Sequence, residues 1–293
     1  MKDEDGNLVT SSDKILEVAL NAYVKRLEHR PMQKDLKQLK ELKDKVFKLK
    51  MKKAKETKTT PWTKENVRKV LKNLKKDKSR DPLGLANKIF HPSVAGDDLI
   101  DAITILMNRI KIEQIYPEIM ELCNISSIYK GKGPRNDFDS YRGIFRITVL
   151  RNILDCLIYE DEYQTVEDGL TDSNIGSRKK RNIRDNIFVL GAVTNDVIHG
   201  NAEAIDVCTY DISKCFDALW LEEAISDLHD TGLVNDNLAL LYLENKNAKV
   251  AVKTPGGISQ RVNIEKIEMQ GTVWASLKCT VWASLKCTWK ESL

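Results

Sequence analysis

From residue 60 onward the chain alternates between two kinds of segment, and that alternation limits its fold more than any other feature. Stretches with apolar residues three and four apart, such as Leu99, Ala102, Ile103, Leu106, Met107 and Ile110, have the period of a helix with one buried face. Between such stretches lie short strand-favouring runs. One is Cys123 to Tyr129; two more, Lys249 to Thr254 and Ile258 to Ile264, flank Pro255-Gly256-Gly257 and read as a hairpin. Helices and strands interleaved in this way predict an α/β (α+β) architecture. Further helices are expected through Val67 to Leu74 with Thr63 as cap, and over 144–159, 183–198, 219–228 and 237–243. Asp81-Pro82-Leu83-Gly84 reads as a turn.

Ahead of this region the pattern is helical and basic. Residues 12–29 carry Ile15, Val18, Ala19, Ala22, Tyr23 and Leu27 at helical steps, with Ser12 placed to cap. Pro31 ends that run. A second helix is expected through Leu36, Leu39, Leu42, Val46 and Leu49, and Thr57 to Pro61 reads as a linker. The chain therefore divides into an arm over 1–59 and a larger region over 60–293. Residues 1–80 hold 24 Lys and Arg against 12 Asp and Glu, whereas the remainder holds 23 against 31. Such a basic front suits phosphate contacts, or else is the solvated face of a helix.

With 293 residues and 42% hydrophobic content the chain is long enough for a sizeable core. No stretch reaches the ~18 apolar residues of a membrane span, and Met1 to Asp13 is too polar for a signal peptide. An intracellular protein, nuclear or cytoplasmic, with no membrane partner is the expectation. Six cysteines without a Cys-x-x-Cys pair fit reduced thiols.

Three segments carry possible chemistry. Ile205, Val207, Tyr210 and Ile212 make a strand-like stretch leading into Asp211-Ile212-Ser213-Lys214-Cys215-Phe216-Asp217. A carboxylate at a strand end suits two-metal phosphoryl transfer, in which catalysis is mainly positioning and charge neutralisation. A surface Asp before a core Phe fits those seven residues equally. Lys130-Gly131-Lys132-Gly133 is a loop able to wrap phosphates through lysines and free N–H groups, or a plain basic turn. Gly96-Asp97-Asp98 opens a helical pattern, so its acids read as a helix start.

The order of motifs narrows these readings. Leu74-Lys75-Lys76-Asp77-Lys78-Ser79-Arg80-Asp81-Pro82-Leu83-Gly84-Leu85 resembles the first motif of non-LTR retrotransposon reverse transcriptases. Ile125 to Gly133 and Tyr141-Arg142-Gly143-Ile144 resemble the fingers strand and the Tyr-Arg-Pro-Ile box, with Gly143 in place of Pro. Asn174-Ile175-Gly176-Ser177-Arg178-Lys179 stands where Gln-x-Gly-Phe-Arg is usual, and Asp211 to Asp217 comes next. Met269-Gln270-Gly271-Thr272-Val273-Trp274-Ala275-Ser276 resembles the Gln-Gly motif. The resemblance spans roughly residues 60 to 280.

That resemblance implies a helical N-terminal arm followed by the fingers and an incomplete palm of a right-hand polymerase. It implies an RNA template, a DNA primer, deoxynucleotide triphosphates and Mg²⁺. Asp211 and the Ile212 carbonyl would be metal ligands, and Phe216 the sugar gate. Gln270 and Gly271 would support the base pair. Lys130, Lys132, Arg142, Arg178 and Lys179 would face phosphates. Val273 to Thr280 is repeated unchanged as Val281 to Thr288, and no Tyr-x-Asp-Asp or Phe-x-Asp-Asp follows Asp211. A reverse transcriptase fragment, truncated before its second metal motif and inactive alone, is the expectation; a non-catalytic RNA-binding relic or domesticated protein is the alternative.

Overall fold

The computed structural model describes residues 1–27, 40–41, 44, 59–200, 204–207, 219, 221–265 and 272–286. Its described part is mixed α/β, with one mixed sheet and helices around it. The expected helix over Leu36 to Leu49 and the Asp211 to Asp217 run lie outside the described residues.

In chain order the helices are α1 (Ser12–Leu27), α2 (Lys64–Asn73), α3 (Asn87–Phe90), α4 (Asp97–Glu113), α5 (Val149–Asp168), α6 (Ile183–Ile198), α7 (Leu221–Asp230), α8 (Asp236–Lys246) and α9 (Val273–Lys286). The strands are β1 (Leu122–Tyr129), β2 (Tyr141–Ile147), β3 (Asn247–Thr254), β4 (Gly257–Ile258) and β5 (Val262–Glu265). β1 pairs antiparallel with β2 and parallel with β3, while β4 and β5 both pair antiparallel with β3. The expected hairpin is present, its second arm interrupted over 259–261.

Local chemistry explains most helix starts. Thr63 caps α2 with a reciprocal Thr63–Asn66 box. Asp97 and Asp98 occupy the first turn of α4. Asn182 and Asp185 box the start of α6. The Ile15 amide bonds the Ser11 carbonyl at 3.0 Å, so the cap of α1 falls at Ser11, one residue before the expected Ser12.

The expected helix over 144–159 is corrected. Residues 144–147 finish β2, and the helix begins at Val149, where Thr148 accepts the Arg151 amide. A continuous apolar run does not by itself separate a buried strand from a buried helix. Here the ladder to β1 decides it, from Cys123 opposite Ile147 to Tyr129 opposite Tyr141.

Two cores result. The larger joins α2, α4, α5, α7, α8 and α9 around fully buried Leu71, Ile100, Met107, Ile153, Leu154 and Trp274. A smaller one lies between α1 and one face of the sheet, where Ala19, Leu20 and Tyr23 meet Cys123, Ile125, Phe145, Val250 and Val252. The octapeptide repeat lies within the single helix α9 as far as Lys286. At 3.6 residues per turn, eight residues advance a helix by about 80° beyond two full turns, so equivalent positions face differently.

Helix α6 is the exception. Ile183, Ile187, Phe188, Val189, Leu190, Val193 and Ile198 are all exposed, and no residue of the helix is buried.

Candidate nucleic-acid interface

Strand alternation puts Tyr141, Gly143, Phe145 and Ile147 on the α1 face of β2 and leaves Arg142, Ile144 and Arg146 on the other. On that second face Arg142 lies opposite Ile128, Ile144 opposite Ser126 and Arg146 opposite Asn124. β3 adds Lys253 beside Ser126 and Ala251 beside Asn124. Asn124 and Ala251 are buried, so the helical core closes that end of the face. Its other end is open, with Ile128 53% exposed and Arg142 and Lys253 exposed. The open half is thus an apolar and hydroxyl floor between cations on both flanking strands. Neither Arg142 nor Lys253 has an ion-pair partner among the described residues.

A basic loop adjoins this face. The Arg146 Nη1 donates to the Arg80 carbonyl at 2.9 Å. Asp81, next in sequence, accepts the Leu83 and Leu85 amides through Oδ1 (2.9 and 2.8 Å) and the Val149 amide through Oδ2 (2.9 Å). One nearly buried carboxylate thereby shapes the expected turn and fastens it to the start of α5. At the other end the Asn87 Nδ2 donates to the Lys75 carbonyl at 2.9 Å. Between these two pins Lys75, Lys76, Lys78, Ser79 and Arg80 are exposed. His91 belongs to the same basic region: desolvation, then the charges of Lys76 and Lys72, hold its imidazole below the ordinary value.

The Lys130-Gly131-Lys132-Gly133 loop is braced by aromatic rings. Tyr129 and Tyr141 pack with centroids 5.5 Å apart, and their hydroxyls donate to the Gly133 and Arg135 carbonyls at 2.6 and 2.7 Å. Gly133 has a left-handed φ of 84°, which disfavours any other residue, and a Cβ there would lie 2.5 Å from the Ser140 Oγ and have to displace that hydroxyl. Lys130 Nζ donates to the Asp139 carbonyl at 2.7 Å, whereas Lys132 is exposed.

Gly143, which departs from the Tyr-Arg-Pro-Ile pattern, has a structural reason. A Cβ at this position would sit 2.6 Å from the Tyr23 ring. Tyr23 is 4% exposed and hydrogen-bonds Ser127 at 2.9 Å, so α1 is seated in the space that Gly143 leaves.

In the basic run from Arg178 to Arg184, Arg178 is turned inward while Lys179, Lys180, Arg181 and Arg184 are exposed. Arg178, its side chain 3% exposed, donates Nε and Nη2 to Glu167 and Nη1 to the carbonyls of Thr171 and Asn174. That hydrogen bond is the main cause holding the Glu167 carboxyl below the usual range. Lys179 Nζ sits over the rings of Tyr159 and Tyr163, 4.7 and 4.3 Å from their centroids. Arg181 pairs with Asp172 at 2.7 Å.

Asp211, Ile212, Phe216, Gln270 and Gly271 lie outside the described residues. α9 begins two residues after Gly271 and is anchored by Trp274, whose Nε1 donates to the Asp155 carbonyl at 3.2 Å. Among the described residues no group of three or more His, Cys, Asp or Glu could hold a metal ion. Asp97 pairs instead with Arg68 at 2.8 Å, tying α4 to α2. Burial pushes the thiols of Cys123 and Cys156 up to about 12, which leaves neither nucleophilic at neutral pH. No described helix is long and apolar enough to cross a membrane.

Reading the sequence missed Arg146 and Lys253. The spacing Arg142-x-x-x-Arg146 places both on one face of a strand, a signal hidden by the helix expected from residue 144. Compared with known proteins, the chain matches no family model and no curated protein.

Proposed function

We propose that this chain is a piece of a non-LTR reverse transcriptase whose described part binds RNA along the open half of the sheet. The observation that carries the binding is the set of exposed cations, Arg142 and Lys253 above all, around Ser126, Ile128 and Ile144. Lys132 and the exposed cations Lys75, Lys76, Lys78 and Arg80 extend it. Support for the polymerase origin is the order of motifs in the sequence, from the first motif at Leu74 to Gln270-Gly271. On this reading Arg142, Lys132 and Lys253 take phosphates, whereas Arg146 pins the Lys75 to Arg80 segment to the sheet and Arg178 holds its own loop.

In the family two magnesium ions neutralise charge on the attacking and leaving oxygens. Asp211, with the Ile212 carbonyl, is the residue of this chain matching that role by motif; Phe216, Gln270 and Gly271 match the sugar gate and base-pair support. One carboxylate-bearing motif is too little to hold both ions, so these 293 residues alone are not expected to extend a primer.

Fluorescence anisotropy with a single-stranded RNA over a salt series tests the binding. Log affinity should fall linearly with log salt, with a slope near −0.7 per phosphate neutralised. Affinity flat across the series would overturn the electrostatic basis. Primer extension on an RNA template with magnesium, beside an Asp211→Ala control, tests the activity. Template-dependent extension that disappears in that control would make the chain an enzyme in its own right. Binding without extension also fits a non-catalytic RNA-binding descendant.

A further inference from the structure

We propose that Ser79 is a phosphorylation site for a protein kinase that selects basic residues before its serine, and that the modification releases RNA. The second half of this inference rests on the binding surface proposed above. Ser79 lies in the segment Lys75-Lys76-Asp77-Lys78-Ser79-Arg80, with lysines four, three and one residues before it and an arginine after it. Residues 78–80 have no regular secondary structure, and Ser79 is exposed. Among the described residues its hydroxyl has no hydrogen-bond partner. An irregular, exposed segment enters a kinase cleft without unfolding any helix or strand, and acidic pockets that select such serines read the lysines on their N-terminal side.

The rest of the loop is fixed, so the modification acts at a defined place. Asn87 holds the Lys75 carbonyl at 2.9 Å, and Asp81 is held by three backbone amides. The Arg80 carbonyl, one residue from Ser79, accepts the Arg146 Nη1 at 2.9 Å, which fixes the loop to the strand that also carries Arg142. In the transfer the Ser79 Oγ forms a bond to the γ-phosphorus of ATP while the bond from that phosphorus to the β,γ-bridging oxygen breaks. The hydroxyl proton passes to the kinase base and ADP leaves. The product carries a charge of about −1.5 to −2 amid Lys75, Lys76, Lys78 and Arg80. Those cations then have an internal phosphate to neutralise and compete less for RNA.

The test treats the whole chain with a basic-residue-directed Ser/Thr kinase and ATP, then maps sites by mass spectrometry and repeats the RNA salt series. The expected result is modification at Ser79, none at that position in Ser79→Ala, and about tenfold weaker binding at low salt with a slope shallower by about one. Kinase-treated Ser79→Ala should bind as the untreated protein does. Circular dichroism of the modified chain should be unchanged, which separates charge from unfolding. Modification at other hydroxyls with Ser79 bare would overturn the site, and unchanged binding by the Ser79-modified chain would overturn the release. Failure of the unmodified chain to bind RNA would overturn the release together with the binding surface, while the mapping arm would still decide the site.

Discussion

Glu244→Gln is expected to stabilise the protein increasingly as pH rises. Glu244 lies in the last turn of α8 and Asp155 on α5, and each is only 1% exposed. Arg151 Nη2 donates to the Asn245 Oδ1 at 2.8 Å, and Asn245 Nδ2 donates to the Glu244 Oε1 at 3.1 Å. As two carboxylates, Asp155 and Glu244 would leave Asp155 Oδ1 and Oδ2 and Glu244 Oε2 without donors. A proton on Glu244 removes one charge and supplies one donor. Burial first, then the neighbouring Asp155, push the Glu244 carboxyl well above its ordinary 4.5, with the Arg151 guanidinium opposing. The sign follows from proton counting. Above about 4.5 the unfolded chain releases this proton and the folded chain keeps it, so stability is full below that pH and falls as pH rises toward the folded value. Each pH unit of the interval costs about 1.4 kcal/mol. Gln keeps the Oε1 acceptor for Asn245, offers an N–H toward Asp155 and has no proton to lose. Urea unfolding followed by tryptophan fluorescence, run on both proteins between about pH 5 and 8, should show a gap widening by about 1.4 kcal/mol per unit until the folded value is passed. A gap independent of pH, or a variant weaker throughout, would refute the assignment of a buried protonated carboxyl.

Other expectations are more local. Gly143→Ala should cost about 1–3 kcal/mol by overpacking against Tyr23, and the cost should shrink in a Tyr23→Ala background; equal costs in both backgrounds would break the link between the two positions. Arg142→Ala with Lys253→Ala should flatten the RNA salt slope by about 1.4, at about 0.7 for each phosphate that is no longer neutralised. Arg178→Ala should leave that slope unchanged but cost about 3 kcal/mol of stability, because it removes the cation paired with Glu167 and the donor to the Thr171 and Asn174 carbonyls; a changed slope at unchanged stability would return Arg178 to the interface. Ile187→Lys with Leu190→Lys should suppress aggregation on warming, measured by light scattering, since both lie on the exposed apolar side of α6.

Elements that depend on neighbours in sequence are legible without any coordinates. Thr63 with Asn66 starts a helix through groups three residues apart, and Asp97 and Asp98 act within one turn. Asp81-Pro82-Leu83-Gly84 is a turn for reasons contained in four residues. Basic residues can be counted in the chain, but which of them face outward cannot be read there. Arg178 looks as available as Arg142 until Glu167, eleven residues away, is found against it. Residues 144–147 are strand only because β1 supplies a ladder, and Arg146 thereby joins Arg142 on one face. Lys253 reaches that face through a parallel pairing of β1 with β3, across more than a hundred residues. Gly143 in place of Pro is visible in the chain, but its reason, the ring of Tyr23, lies on another element. Capping, turn chemistry and periodicity act over a few residues, and so are written in the chain. Which charges stay in water and which hold the fold together is settled in three dimensions, because burial and partnership depend on residues that only packing brings together.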